Sequence, residues 1–173
     1  VSVQNGSILT WHSEQVLEVV RGATLIQLEE GKKIKLPTVH IQGRADILIE
    51  RRGFDTSITC LPGHATLLPL GSTEELALPA GYMVQVGPVG KQGVAQVEIP
   101  MTAGLTATVK RWWSLFQGTK AEFLPLAKEF TRVVTANVDV ASRWHQDLVE
   151  RQVASQLEAE RLERVRLELQ ERE

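Results

Sequence analysis

Four glycines at near-regular spacing constrain this chain more than any other feature. Gly22-Ala23-Thr24, Gly43-Arg44-Ala45, Gly63-His64-Ala65 and Gly81-Tyr82-Met83 each open a pair of short, alternating polar and apolar runs. The glycines stand 21, 20 and 18 residues apart. A unit of about 20 residues holding two strands is too short for two parallel strands joined by a crossover helix. It suits hairpins or coils stacked on their neighbours. A corner between stacked strands often needs positive φ, which glycine adopts without a Cβ clash. The second run of a unit tends to finish at proline, as in Leu36-Pro37, Leu61-Pro62 and Leu78-Pro79. Proline has no N–H to give a ladder, so a run is expected to stop there.

The pattern ends near Pro100. Eleven of the 13 glycines and six of the seven prolines lie in residues 1–100. That stretch reads as about eleven short strands with punctuation every 8–12 residues, as in a sandwich, barrel or β-solenoid. The expected class is therefore mainly β over 1–100, followed by an α-helical region over 101–173. Splitting the charges at Pro100 gives 8 basic and 10 acidic residues before it, and 11 of each after it. Neither part has the basic excess of a nucleic-acid surface, so nucleic acid is not an expected partner. Cys60 is the one cysteine, which leaves no intramolecular disulfide to form.

Three phrases carry a family resemblance. Leu17-Glu18-Val19-Val20-Arg21-Gly22-Ala23-Thr24 resembles the opening phrase of the FecR-type domain, an apolar strand followed by Arg-Gly-Ala. Leu36-Pro37-Thr38-Val39-His40-Ile41-Gln42-Gly43 is similar to the domain's next strand and second glycine. Leu76-Ala77-Leu78-Pro79-Ala80-Gly81-Tyr82-Met83-Val84-Gln85-Val86 resembles its closing phrase. The likeness spans roughly residues 7–88. It implies an extracytoplasmic all-β interaction module of the bacterial periplasm, in sensor-type members relaying the state of an outer-membrane transporter to a sigma factor. Only Gly22, Gly43, Gly63 and Gly81 carry over, and their role is structural.

No run of 18 or more apolar residues occurs, so no segment here is expected to span a bilayer as a helix. The chain begins with Val1, and the location implied by the resemblance carries the expectation of a signal or anchoring segment upstream. Any membrane contact is expected through that segment.

Beyond Pro100, Thr102 or Thr106 is placed to cap a helix running to Gln117, with Gly118 as its C′ residue. A second helix starts at Thr119 or Lys120, and Phe123, Leu124, Ala127, Phe130, Val133 and Val134 form its amphipathic face. A last helix starts near Asp139. Its heptad seam holds Ala141, Leu148, Ser155, Leu162 and Leu169, with a mostly polar mate of Trp144 or His145, Gln152, Ala159 and Arg166, too weak for an autonomous coiled coil. From Glu158 to Glu173 there are six Glu and four Arg in 16 residues, which marks a solvated helix.

Candidate chemistry is sparse. His40 and His64 lack the His-x-His spacing of a cupin-type metal site. Cys60 alternates within an apolar strand and reads as a buried structural thiol. No phosphate loop, nucleophile elbow, Cys-x-x-Cys or His-Glu-x-x-His is present. No cofactor or metal site is expected. The strongest local cluster is Lys110-Arg111-Trp112-Trp113. Adjacent helical residues point about 100° apart, so one tryptophan can pack inward while the other meets a partner. Arg111, Trp112, Trp113 and Trp144 are the candidate partner-binding residues. The expected function is a non-enzymatic, FecR-like sensor or scaffold that binds a protein partner, membrane-associated or a second copy. Two alternatives stand beside it: a cupin-like barrel whose pocket holds both His40 and His64, and a scaffold that self-assembles through its C-terminal helices.

Overall fold

The computed structural model describes residues 1–4, 7–98, 100–136 and 138–170. It falls into two compact units, Val1–Val138 and Asp139–Glu173. The first contains strands β1 (Ser2–Val3), β2 (Ile8–Ser13), β3 (Val16–Leu28), β4 (Lys33–Lys35), β5 (Val39–Arg52), β6 (Asp55–Pro69), β7 (Leu76–Pro79), β8 (Tyr82–Val89), β9 (Ala95–Val97) and β10 (Met101–Thr102), then helices α1 (Leu105–Leu115) and α2 (Lys120–Ala136). The second is essentially one helix, α3 (Val138–Gln170). The class is mainly β followed by helices, as the glycine and proline distribution predicts. No helix among the described residues is long and apolar enough to cross a membrane.

The repeat glycines bend strands rather than end them. Gly22, Gly43 and Gly63 lie inside β3, β5 and β6, and all four repeat glycines have positive φ. The runs read separately from sequence are thus halves of three long, bent strands. Before its bend, β3 pairs β2 and, in parallel, β4; after it, β3 pairs the second half of β5. The first half of β5 lies along the second half of β6, and the second half of β5 along the first half of β6. The first half of β6 also pairs β8, and its second half pairs β7. Each long strand therefore serves two ladders, and the sheet folds over on itself at the glycine line. At Gly81 the same passage runs from β7 to β8 through a turn, with its N–H donating to the Cys60 carbonyl at 2.8 Å.

Two of these bends are locked together. Gly43 (φ +129) pairs Ala65 and Gly63 (φ +107) pairs Ala45, either side of the Arg44–His64 pair on the β5–β6 ladder. A Cβ on Gly43 would stand 2.6 Å from the His64 carbonyl oxygen, and one on Gly63 2.3 Å from that of Arg44. Neither the conformation nor the space admits a side chain. Pro62 lies within β6 instead of stopping it. The register shifts beside it, between Ala45 and Ile47 of the partner strand, so its missing N–H falls where the ladder is already broken.

Alternation then fixes two cores. Val19, Ile41, Ile47, Ile49, Ile58, Leu67 and Leu78 are fully buried between the two halves of the folded sheet. Thr24 and Cys60 share this interior. The outer face of the second half turns Ala23, Leu48 and Leu61 toward α1 and α2, forming the second core.

Candidate functional site

The helix pair is built from simple periodicities. Thr108, Trp112 and Leu115 of α1 fall on one face, as do Phe123, Ala127, Phe130 and Val134 of α2. These faces close on Ala23, Leu48 and Leu61 of the sheet. Trp112 is 1% exposed, with edge-on contacts to Phe123 (5.1 Å between centroids) and Phe130 (5.7 Å). It is a core residue of this unit, not a surface for a partner. Arg111 Nε donates to the Glu50 carboxylate on β5, which ties α1 to the sheet. Both side chains are about a third exposed, so solvent tempers this ion pair.

The caps differ from the sequence expectation. Gly104, not Thr102 or Thr106, is the N-cap of α1, and no side chain caps it. Phe116 closes the helix in an extended conformation, and Gly118 is not in the left-handed region. Gly118 matters for space instead: a Cβ there would lie 2.5 Å from the Glu122 carboxylate and 2.6 Å from the Phe116 ring. That carboxylate belongs to a capping box. Thr119 Oγ1 accepts from the Glu122 N–H at 3.2 Å, and Glu122 Oε2 accepts from the Thr119 N–H at 2.9 Å. Pro125 falls in the second turn of α2, where its ring replaces an N–H that would have bonded one turn back.

Trp113 points the other way. It is 42% exposed, its ring 5.0 Å from Phe123 and 6.3 Å from Phe116, stacked on the latter. An aromatic chain thus runs from buried Phe130 through Trp112 and Phe123 to the surface at Trp113. Beside it lies an open groove of about 590 Å³ between α1 and α2. Leu105, Val109, Trp113, Phe123 and Leu124 form its apolar wall. Leu124 is 54% exposed, because the inward face of α2 is taken by its neighbour Phe123. Lys110 and Lys120 line the same groove, and among the described residues no carboxylate does. Apolar walls with two unopposed cations fit an apolar ligand surface edged by acids.

Of the sequence-derived candidates, Trp113 is therefore in the groove, Arg111 is engaged with Glu50, and Trp112 is core. Trp144 lies on α3, and its side chain is outside the described residues. The groove adds Lys110, Lys120, Val109 and Leu124 to the candidate binding residues that the sequence offers. The amphipathic face expected over α2 included Leu124, but the structure turns it outward, because adjacent helical residues point about 100° apart and Phe123 holds the inward stripe.

A second, more polar cleft of about 460 Å³ lies at the sheet bend, where Gln27, Glu29, Arg44, Asp46 and His64 come together. Burial pushes the Asp46 carboxyl above the usual carboxylate range. Cys60 is fully buried nearby, and its thiol is pushed up to about 12, first by burial and then by the Asp46 charge. It presents no thiolate at neutral pH. His40 is exposed and stands four ladder positions from His64, about 13 Å along the strand. The shared pocket that a cupin-type site requires is not formed. Among the described residues no group of three His, Cys, Asp or Glu is placed to hold a metal ion.

No family model and no curated protein matches this sequence. Two crystal structures of a "putative anti-sigma factor" from Parabacteroides distasonis are similar to it, at TM-scores of 0.42 and 0.41 and with 11% and 10% identity. The matches cover 64% and 65% of this chain, which spans 58% of each of theirs. A likeness of that size decides neither the fold nor the function of this chain.

Proposed function

We propose that this chain is a non-enzymatic interaction module, FecR-like in its β-domain and extracytoplasmic, whose α1–α2 groove binds a protein segment. The segment is an amphipathic helix or strand with apolar anchors edged by Asp or Glu. One observation carries the reading: Trp113 and Leu124 expose apolar surface beside Lys110 and Lys120, with no acid among the described residues that line the groove. Exposed aromatic anchors rimmed by charge are a common form of a protein-binding hot spot. The β-domain serves as the rigid support, since Ala23, Leu48, Leu61 and the Arg111–Glu50 pair fix both helices. The extracytoplasmic placement and the sensor or scaffold role rest on the FecR resemblance of residues 7–88. The absence of a catalytic role rests on the inert Cys60 and the separated histidines.

The test uses two synthetic amphipathic peptides with identical leucine anchors, one edged by Glu and one by Lys. Titration by calorimetry is expected to show the acidic peptide binding the full chain. Trp113→Ala and Leu124→Glu each weaken that binding at least tenfold while leaving the far-ultraviolet spectrum unchanged. Equal affinity for both peptides, or indifference to both substitutions, overturns the assignment.

A further inference from the structure

The helix α3 carries apolar side chains that its own unit does not cover. Val149, Val153, Leu157 and Val165 are 37, 48, 61 and 47% exposed. They are spaced four, four and eight residues apart, with Arg161 filling the step between Leu157 and Val165. This is an i+4 row, a ridge inclined to the helix axis, and not the heptad seam of a coiled coil. The heptad seam exposes Leu162 (65%), but Ser155 interrupts it between Leu148 and Leu162 and its mate positions Gln152 and Arg166 are polar, so it is the more broken surface. When two helices pack i+4 ridge against i+4 ridge, they cross at about −50°. The same row serves on both helices, so one sequence supplies both sides of a two-fold contact.

Charge points to the same occupant. Around the ridge, residues 158–166 hold Glu158, Glu160 and Glu163 with Arg161, Arg164 and Arg166. Counted from Leu157, Glu150 and Arg164 stand seven residues before and after it, and Arg151 and Glu163 six, so an antiparallel copy turned about Leu157 sets acid against base. A strongly acidic or basic partner gains nothing there, whereas a second copy can set Glu on Arg.

We propose that α3 pairs with α3 of a second copy, ridge on ridge, with the two-fold axis passing near Leu157. This dimer is independent of the α1–α2 groove, and its test keeps the two apart. Cys60 is fully buried, so a cysteine introduced on α3 is the one readily accessible thiol among the described residues. In the full chain, Leu157→Cys is expected to cross-link into a dimer under mild oxidation, at least tenfold faster than Ser155→Cys on the heptad seam. Sedimentation should show a concentration-dependent dimer that Leu157→Glu abolishes with helix content unchanged. Trp113→Ala should leave the dimer intact. Faster cross-linking through Ser155→Cys would establish a coiled coil and overturn the ridge assignment. A chain that stays monomeric at every concentration, with no cross-link at either position, would overturn the dimer itself.

Discussion

Two side chains in the sheet interior make opposite statements about burial. Thr24 is fully buried and its Oγ1 has no hydrogen-bond partner among the described residues. Such a hydroxyl has lost its water without compensation. Thr24→Val, of nearly the same shape, is expected to raise unfolding stability by about 1 kcal/mol, read from the urea midpoint. Cys60 sits nearby with its thiol raised from an ordinary 9.0 to about 12. The unfolded chain releases that proton first, so the stability contributed by the neutral thiol is intact below about pH 9 and drains away toward about pH 12. The slope is of the order of 1 kcal/mol per pH unit. Cys60→Ala removes this slope, whatever its cavity costs at neutral pH. Urea unfolding of both proteins at about pH 8 and about pH 10.5 should therefore show a gap that narrows as pH rises. A gap unchanged by pH would show that the thiol ionises freely in the fold. The two tryptophans illustrate what was legible at this scale. Their opposition follows from helix geometry. The inward member is set by Thr108, Trp112 and Leu115, whose spacing of four and three selects one face.

At the scale of elements, the glycine line is the device that makes the fold. Its positions were readable, because positive φ leaves few other residues to choose from. That the glycines bend strands instead of ending them was not readable. A ladder continues through a bend only if its partner bends at the same level, and that is a property of β5 and β6 together. Gly63→Ala is expected to cost at least about 2 kcal/mol, since strained φ and the Arg44 carbonyl both oppose the methyl group. A denaturation midpoint unmoved by that change would remove the locked bend. The helices depend on weaker devices. Thr119→Ala deletes one side of the capping box and should lower stability by about 1 kcal/mol, with Glu122→Gln less costly because the amide oxygen still accepts from the Thr119 N–H.

At the scale of the whole molecule, strand gives way to helix near Pro100, while the compact units divide at Val138. Composition reports the first boundary because glycine and proline follow strand corners. It is blind to the second, because α1 and α2 pack on the sheet through Trp112 and Phe130, residues any helix can carry. The groove was illegible for the same reason. Lys110 and Lys120 belong to different helices and line one groove only after both have docked. The groove is the proposed binding surface, the sheet its support and α3 a separate proposed contact. Competition between the acidic peptide and salt bears on it most directly. Calorimetric affinity of the Glu-edged peptide should fall steeply as sodium chloride rises from about 0.05 to about 0.5 M, and Lys110→Ala with Lys120→Ala should flatten that dependence. A salt-independent affinity, unchanged by removing both lysines, would contradict the assignment of this groove as a site for acidic protein segments.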